Sequence, residues 1–447
     1  MKNQGKKTLR AVLPFFLTLG IITILAWILP LRPTVSEREK RTLEPFPSFS
    51  WASLGDGSYF ASIGVWFSDT FPFRDAWIDA GQAIDSLHGH SEYAIYGDVH
   101  EPAATAEPTP AAVPAATPAP AAVPAGEALT PEPSPTEDPE LAAAREMEEI
   151  YSIGAVLQVG DAVYELGKTD PAKLERYAGV VNKAAEQLAG RCRVFNVFFL
   201  NSTTILLPDA FKEKIGVHSQ EILAETLHDA LSENVTDVET VQTMKDHKDE
   251  YIFFRTDHHW TALGAYYAYA NWAEAAGFEP VSLDAYTEQI FEPFYGSLFY
   301  QANQSSALTP DQVYAYTPPG DLKLYVCEEY GETPSYRGIE QPVLEDVVGT
   351  DKYMAFLRGD HALTTFINND IEDDSAVVLI KNSNGNPFSY YLTQHYRYVY
   401  VLDYRKYATR SLQAFCELYD VDDVIFLMSS SQIQGGKVID LIDHLVR

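Results

Sequence analysis

Four short segments carry almost no charge. They are Arg193 to Leu200 (RVFNVFFL), Ala376 to Ile380 (AVVLI), Tyr398 to Leu402 (YVYVL) and Asp423 to Met428 (DVIFLM). None alternates apolar with polar residues. A strand covered on both faces reads this way, because every side chain must be apolar. Between and around these segments lie stretches of helical periodicity: Pro171 to Leu188, Gln220 to Leu231, Ala262 to Ala276 before Gly277, Pro387 to His395, Ser411 to Tyr419 and Lys437 to Val446. Strands alternating with helices imply an α/β fold, a mostly parallel sheet with helices on both faces. The pattern is globular from about residue 147. Residues 280–370 are less regular and read as insertions or a lid region.

The charge balance removes one class of partner. Against 32 Lys and Arg stand 63 Asp and Glu, a net charge of −31 over 447 residues. A surface this acidic repels phosphate backbones, and no basic stripe lies outside the first ten residues, so no nucleic-acid partner is expected. An aromatic content of 13% excludes wholesale disorder. Three cysteines (Cys192, Cys327, Cys416) are too few and too scattered for a disulfide framework or a cysteine zinc site. At most one bridge is open to them, and spacing does not choose its partners.

Residues 1–10 carry Lys2, Lys6, Lys7 and Arg10 and read as a cytoplasmic N-terminus. Residues 11–30 run uncharged. At about 1.5 Å per residue they span about 30 Å, the hydrocarbon thickness of a bilayer. The positive flank keeps the N-terminus inside and puts the rest of the chain outside. A cleaved signal peptide has a shorter apolar core and ends in small residues. Here the run ends Ala26-Trp27-Ile28-Leu29-Pro30, so an uncleaved single-pass signal anchor is expected. Residues 31–98 read as a juxtamembrane stalk and an N-terminal helical part. Residues 99–146 form a Pro/Ala-rich linker or insertion, with 11 of the 27 prolines in 101–140. Such a stretch cannot bury enough apolar surface to offset chain entropy. Residues 147–447 form the α/β domain.

Two places could carry chemistry. Arg255-Thr256-Asp257-His258-His259-Trp260 lies directly before a helix. In an extended segment, residues two apart project to the same side. Asp257 can then hold one nitrogen of His259 while the other faces outward, the base-and-orienter half of a nucleophilic triad. Trp260 could fix the backbone by packing below. At the second place, the strand ending at Lys381 runs into Asn382-Ser383-Asn384-Gly385. Catalytic groups of open α/β sheets gather at such carboxyl ends. Ser383 there gains from backbone N–H groups and the positive end of the next helix. Gly385 would let the turn approach a substrate closely. Each motif also has a plain reading, as a helix cap or a turn. Adjacent histidines rarely ligate one ion, and His218, His228 and His247 are isolated, so no metal and no cofactor is expected.

The stretch Asp257-His258-His259-Trp260-Thr261-Ala262-Leu263-Gly264 resembles the signature of the DHHW protein family, related to the alginate O-acetyltransferases and their SGNH-hydrolase-like domains. Other blocks resemble that family too: Ser36 to Leu43 (SEREKRTL), Asp69-Thr70-Phe71-Pro72-Phe73-Arg74-Asp75, Lys381-Asn382-Ser383, and Val401 to Arg405 (VLDYR). The resemblance implies a flavodoxin-like, SGNH-hydrolase-like three-layer α/β/α fold with permuted motif order, Asp and His before Ser. It implies Ser383 as nucleophile, His259 as general base and Asp257 as its orienter. Backbone N–H groups of Ser383 and Asn384, or Arg405, are candidates for oxyanion or substrate binding. Asn382 stands where the family usually has Asp, and Ser429-Ser430-Ser431 stands where the SGNH pattern has an oxyanion Asn. His258 is expected to be structural. The implied activity is acyl, mainly acetyl, transfer to or from hydroxyls of a cell-surface polysaccharide, by an O-acetyltransferase or carbohydrate esterase. The implied partner is a multi-spanning membrane acyltransferase that brings acetyl from inside. The competing reading is a non-catalytic surface protein that binds glycan or scaffolds an assembly on the same fold.

Overall fold

The computed structural model describes residues 155–217, 219–327, 336–339, 347, 351–435 and 437–447, together with 35–36, 41–42, 45–48, 59, 63, 66, 67, 70, 71, 73 and 93–96. The chain divides into two compact units, Met1–Ser91 and Glu92–Arg447. In the first, Val35–Ser36 pairs antiparallel with Arg41–Thr42, and Phe46 meets Trp66 edge-on at 4.8 Å. Among the described residues no helix is long and apolar enough to cross a membrane. The expected anchor, 11–30, and the Pro/Ala-rich stretch, 99–146, lie outside the described residues.

The second unit is built on an eight-stranded sheet. Its strands in chain order are β1 (Arg193–Phe199), β2 (Val235–Val238), β3 (Leu322–Cys327), β4 (Tyr336–Ile339), β5 (Leu363–Asn368), β6 (Ala376–Lys381), β7 (Tyr398–Asp403) and β8 (Asp423–Ser429). In space they lie β4-β3-β5-β7-β6-β8-β1-β2. The pairs β7–β6, β6–β8, β8–β1 and β1–β2 are parallel, and β4–β3, β3–β5 and β5–β7 are antiparallel. Counted from Ala376 and continued around to β1 and β2, the five parallel strands take the order 2-1-3-4-5, that of flavodoxin-like sheets. The α/β class and permuted order expected from sequence are therefore present. Every side chain of β6 and β8 is buried.

Helices α1 (Pro171–Gln187), α2 (Glu221–Ala230), α3 (Ala262–Ala276), α4 (Gly385–Leu392), α5 (Leu412–Leu418) and α6 (Val438–Val446) form the outer layers. α1 packs with α2, α5 and α6, and α3 packs with α4. Local signals set their ends. The Asp170 side chain accepts from the Ala172 N–H ahead of Pro171, and Thr261 Oγ1 accepts from the Gly264 N–H. Gly277, at φ 87°, terminates α3. Arg193 grips the buried Asp423 with two hydrogen bonds of 2.7 Å, tying β1 to β8.

Residues 280–370 depart from expectation. They supply β3, β4 and β5, and a hairpin of Thr287–Phe294 with Asp311–Thr317. These strands alternate buried with partly exposed positions, as in LKLYVC and LTTFIN. They are the antiparallel flank, solvated on one side, so they lack the unbroken apolar signature of β6 and β8. A smaller sheet joins Tyr93–Tyr96, Val156–Val159 and Ala162–Glu165. The Pro/Ala-rich stretch thus lies in sequence between two strands that pair with each other.

Candidate active site

β6 stands where the strand order reverses, so its carboxyl end opens at the switch point of the sheet. Asn382-Ser383-Asn384 turns the chain there into α4. The turn consumes most of its own donors. The Asn384 N–H donates to Asn382 Oδ1 at 3.0 Å, the Gly385 N–H to the Asn382 carbonyl at 2.9 Å, and the Asn386 N–H to the Ser383 carbonyl at 3.1 Å. The Ser383 N–H has no partner among the described residues. The backbone N–H of Asn384, expected as an oxyanion donor, is therefore engaged. Its side-chain Oδ1 is buried without a hydrogen-bond partner among the described residues.

Beneath the turn lies a buried charge network. Lys381 Nζ donates to Asp360 Oδ1 at 2.9 Å and to Asn386 Oδ1 at 2.7 Å. Arg405 donates through Nε to Asp403 Oδ1 at 2.9 Å, and through one terminal nitrogen to Asp403 and Asp360, each at 2.6 Å. Burial alone would raise the Asp360 pKa, but the Lys381 and Arg405 charges hold it well below the usual range. Arg405, the other oxyanion or substrate-binding candidate, instead braces the nucleophile turn from below through two carboxylates. Gly385 differs from expectation in the same way. A Cβ there would stand 2.4 Å from Lys381 Cβ, so the missing side chain makes room for the lysine stem rather than for a substrate.

The segment before α3 brings the imidazole to Ser383. Its loop is held by Asp311, whose carboxylate accepts from the Arg255 and Thr256 N–H groups at 3.0 and 2.8 Å. Asp257 Oδ1 accepts from His259 Nδ1 at 2.5 Å and from the His259 N–H at 3.0 Å. His259 Nε2 lies 2.8 Å from Ser383 Oγ. The other Asp257 oxygen accepts from the Ser297 N–H at 2.9 Å. Burial by itself would raise the Asp257 pKa. The His259 charge and these hydrogen bonds outweigh it and hold the carboxyl well below the usual range. Gly296 leaves the space Asp257 occupies, for a Cβ there would lie 2.2 Å from Asp257 Oδ2.

Trp260 does more than pack. Its ring stacks on Phe199 at 3.9 Å, and its indole N–H donates to the Asn384 carbonyl at 2.8 Å. The residue after the base thus holds the residue after the nucleophile. Tyr353, which sequence reasoning missed, grips both partners. Its ring stacks on His259 at 4.1 Å, and its hydroxyl donates to the Ser383 carbonyl at 2.9 Å. Burial and the Asp257 and Asp360 charges push its phenol well above the ordinary value, so it stays a donor.

His258 lies beside the pair. Its Nδ1 is 2.7 Å from Ser297 Oγ, and its ring is 3.9 Å from that of His259. Burial, His259 and Arg405 push its pKa down to about 3, so it is neutral near pH 7. Asp257, His258 and His259 offer ligand atoms within 4.8 Å of one another. Within that set Asp257 is hydrogen-bonded to His259, and His258 Nδ1 lies against Ser297 Oγ.

The family described as DHHW protein matches residues 39–107 and 136–402. No curated protein matches the chain. Among solved structures, the chain is similar to a DHHW family protein from Eubacterium siraeum, at 23% identity and a TM-score of 0.56, covering 64% of this chain and 94% of that one. It is also similar to Bacillus cereus PatB1 with a sulfonyl adduct, at 15% identity and a TM-score of 0.53, covering 64% and 97%. These likenesses establish the fold.

Proposed function

This chain belongs to the DHHW protein family, and from that premise we propose that it is an enzyme that moves an acyl group, mainly acetyl, to or from hydroxyls of a cell-surface polysaccharide. One observation carries the reading: Ser383, His259 and Asp257 form an unbroken hydrogen-bonded series although serine and histidine are 124 positions apart in the chain.

Ser383 Oγ attacks the acyl carbonyl carbon while His259 Nε2 takes its proton. Asp257 holds the imidazole through Nδ1 and stabilises the imidazolium that forms. The Ser383 N–H, which no protein acceptor takes among the described residues, is the donor for the developing oxyanion. The leaving oxygen takes the proton from His259, and the acyl group stays on Ser383. An acceptor hydroxyl then attacks that ester, gives its proton to His259, and Ser383 Oγ recovers one as it departs. A sugar hydroxyl as acceptor gives transfer, and water gives hydrolysis.

The uncharged run 11–30 supports placing this body outside the cell on a single-pass anchor, with a multi-spanning membrane acyltransferase as acetyl source. The test uses p-nitrophenyl acetate and a sulfonyl fluoride. Wild type should release p-nitrophenol and be labelled on Ser383, and Ser383→Ala should lose both. Equal release by the two proteins would overturn the enzyme and leave the glycan-binding or scaffold reading.

A further inference from the structure

Glu165 ends the strand Ala162–Glu165 and is 7% exposed. Its strand lies against the histidine loop, for the Val163 N–H donates to the Arg255 carbonyl at 2.7 Å. Thr203 holds the Glu165 carbonyl at 2.5 Å. One carboxyl oxygen, Oε2, accepts from Ser431 Oγ at 2.8 Å, and Asn201 Nδ2 approaches that hydroxyl at 3.4 Å. The other oxygen, Oε1, has no partner among the described residues. Among the described residues no cation pairs with the group, unlike Asp360 and Asp403, which are paired with Lys381 and Arg405.

Its place in the sheet is specific. Ser431 follows the carboxyl end of β8 and Asn201 that of β1, the two strands next in order after β6. Adjacent strands stand about 4.8 Å apart. The Glu165 cluster is therefore one to two strand spacings from the strand that delivers Ser383, along the edge where doubly wound sheets bind ligands. With no partner among the described residues, Oε1 keeps its acceptor capacity for a ligand.

We propose that Glu165, set by Ser431 and Asn201, is an acceptor subsite, and that Oε1 takes a hydrogen bond from a hydroxyl of the saccharide that receives the acyl group. This rests on the acyl-transfer reading of Ser383 and adds a saccharide-binding residue to it. Burial pushes the Glu165 pKa up to about 7, and the charges of His259 and Asp257 are felt there, which agrees with a position facing the same cleft. Charged hydrogen bonds of this kind discriminate strongly, because a hydroxyl without its partner loses both the bond and its hydration.

The test loads wild type and Glu165→Gln with p-nitrophenyl acetate in the presence of cellotetraose or chitotetraose. Acetylated saccharide and free acetate are counted by mass spectrometry. Both products drain the same acyl-enzyme, so their ratio does not depend on how fast it forms. The ratio should fall about tenfold in Glu165→Gln. Glu165→Asp, which keeps the charge but shortens the reach, should show the same loss. A ratio unchanged in both variants, or wild type that hydrolyses the ester but acetylates neither saccharide, would overturn the subsite. Failure of the acyl-transfer reading is separate: ester cleavage would then match Ser383→Ala. Saccharide binding by calorimetry in the Ser383→Ala background still decides the subsite, with about tenfold weakening expected on adding Glu165→Gln and equal affinity refuting it.

Discussion

Replacing Glu165 by Gln should change how stability depends on pH, with a sign that follows from burial. In the unfolded chain the carboxyl titrates near 4.5, and in the folded protein near 7, because burial outweighs the Ser431 hydrogen bond. Below pH 4 both states hold the proton and the group is neutral towards folding. Between 4.5 and 7 the folded state binds more protons than the unfolded state, so raising pH destabilises the fold. Above 7 both have lost the proton and the penalty is complete. The gap between 4.5 and about 7, at about 1.4 kcal/mol per pH unit, comes to about 3 kcal/mol. Gln keeps the shape and an acceptor for Ser431 but has no proton to lose. Urea unfolding of the two proteins at pH 4 and pH 8 isolates this group, since all other charges are common to both. Glu165→Gln should gain about 3 kcal/mol on wild type between the two pH values. A difference that stays flat with pH, or that grows towards acid, would refute the reasoning. The first outcome would mean that Glu165 is hydrated or paired, the second that it is stabilised as an anion.

Two other substitutions probe the supports of the site. Gly296→Ala places a methyl where Asp257 sits and displaces that carboxylate by about 1 Å; ester cleavage should fall roughly 10²-fold while the fold persists by circular dichroism, and full activity would show that Asp257 is not held there. Lys381→Met strips one of two cations from the network beneath the turn, leaving Asp360 and Asp403 to share Arg405; a loss of about 3–5 kcal/mol in urea unfolding is expected, and a loss under 1 kcal/mol would mean that the network contributes no net support.

What the sequence disclosed depended on whether a signal was local. β6, β7 and β8 were legible because strands buried on both faces cannot hide an apolar run. Asp257 and His259 were legible because a two-residue spacing in extended chain settles which side chains share a side. Ser383 was legible from its turn. Where the same turn spends its N–H groups was not, since that depends on the Asn382 rotamer, and the Asn384 backbone donor is lost to it. Arg405 was readable as a charge near the site but not as a brace, because Asp360 comes from 45 positions earlier. Tyr353, Ser297, Asp311 and Glu165 had no local signal at all. Each sits in a stretch of ordinary composition and matters only because the fold carries it to the histidine loop.

The placement of β8 between β6 and β1 bears on how the site comes into being. In the sheet, the strand that bears the serine and the strands that precede the histidine are joined through a strand made after both. During synthesis both motifs emerge before Asp423–Ser429, and the hydrogen-bond ladder from β6 to β1 closes only when that strand is inserted. A chain cut short of Asp423 keeps both motifs and loses the strand that joins their two halves of the sheet.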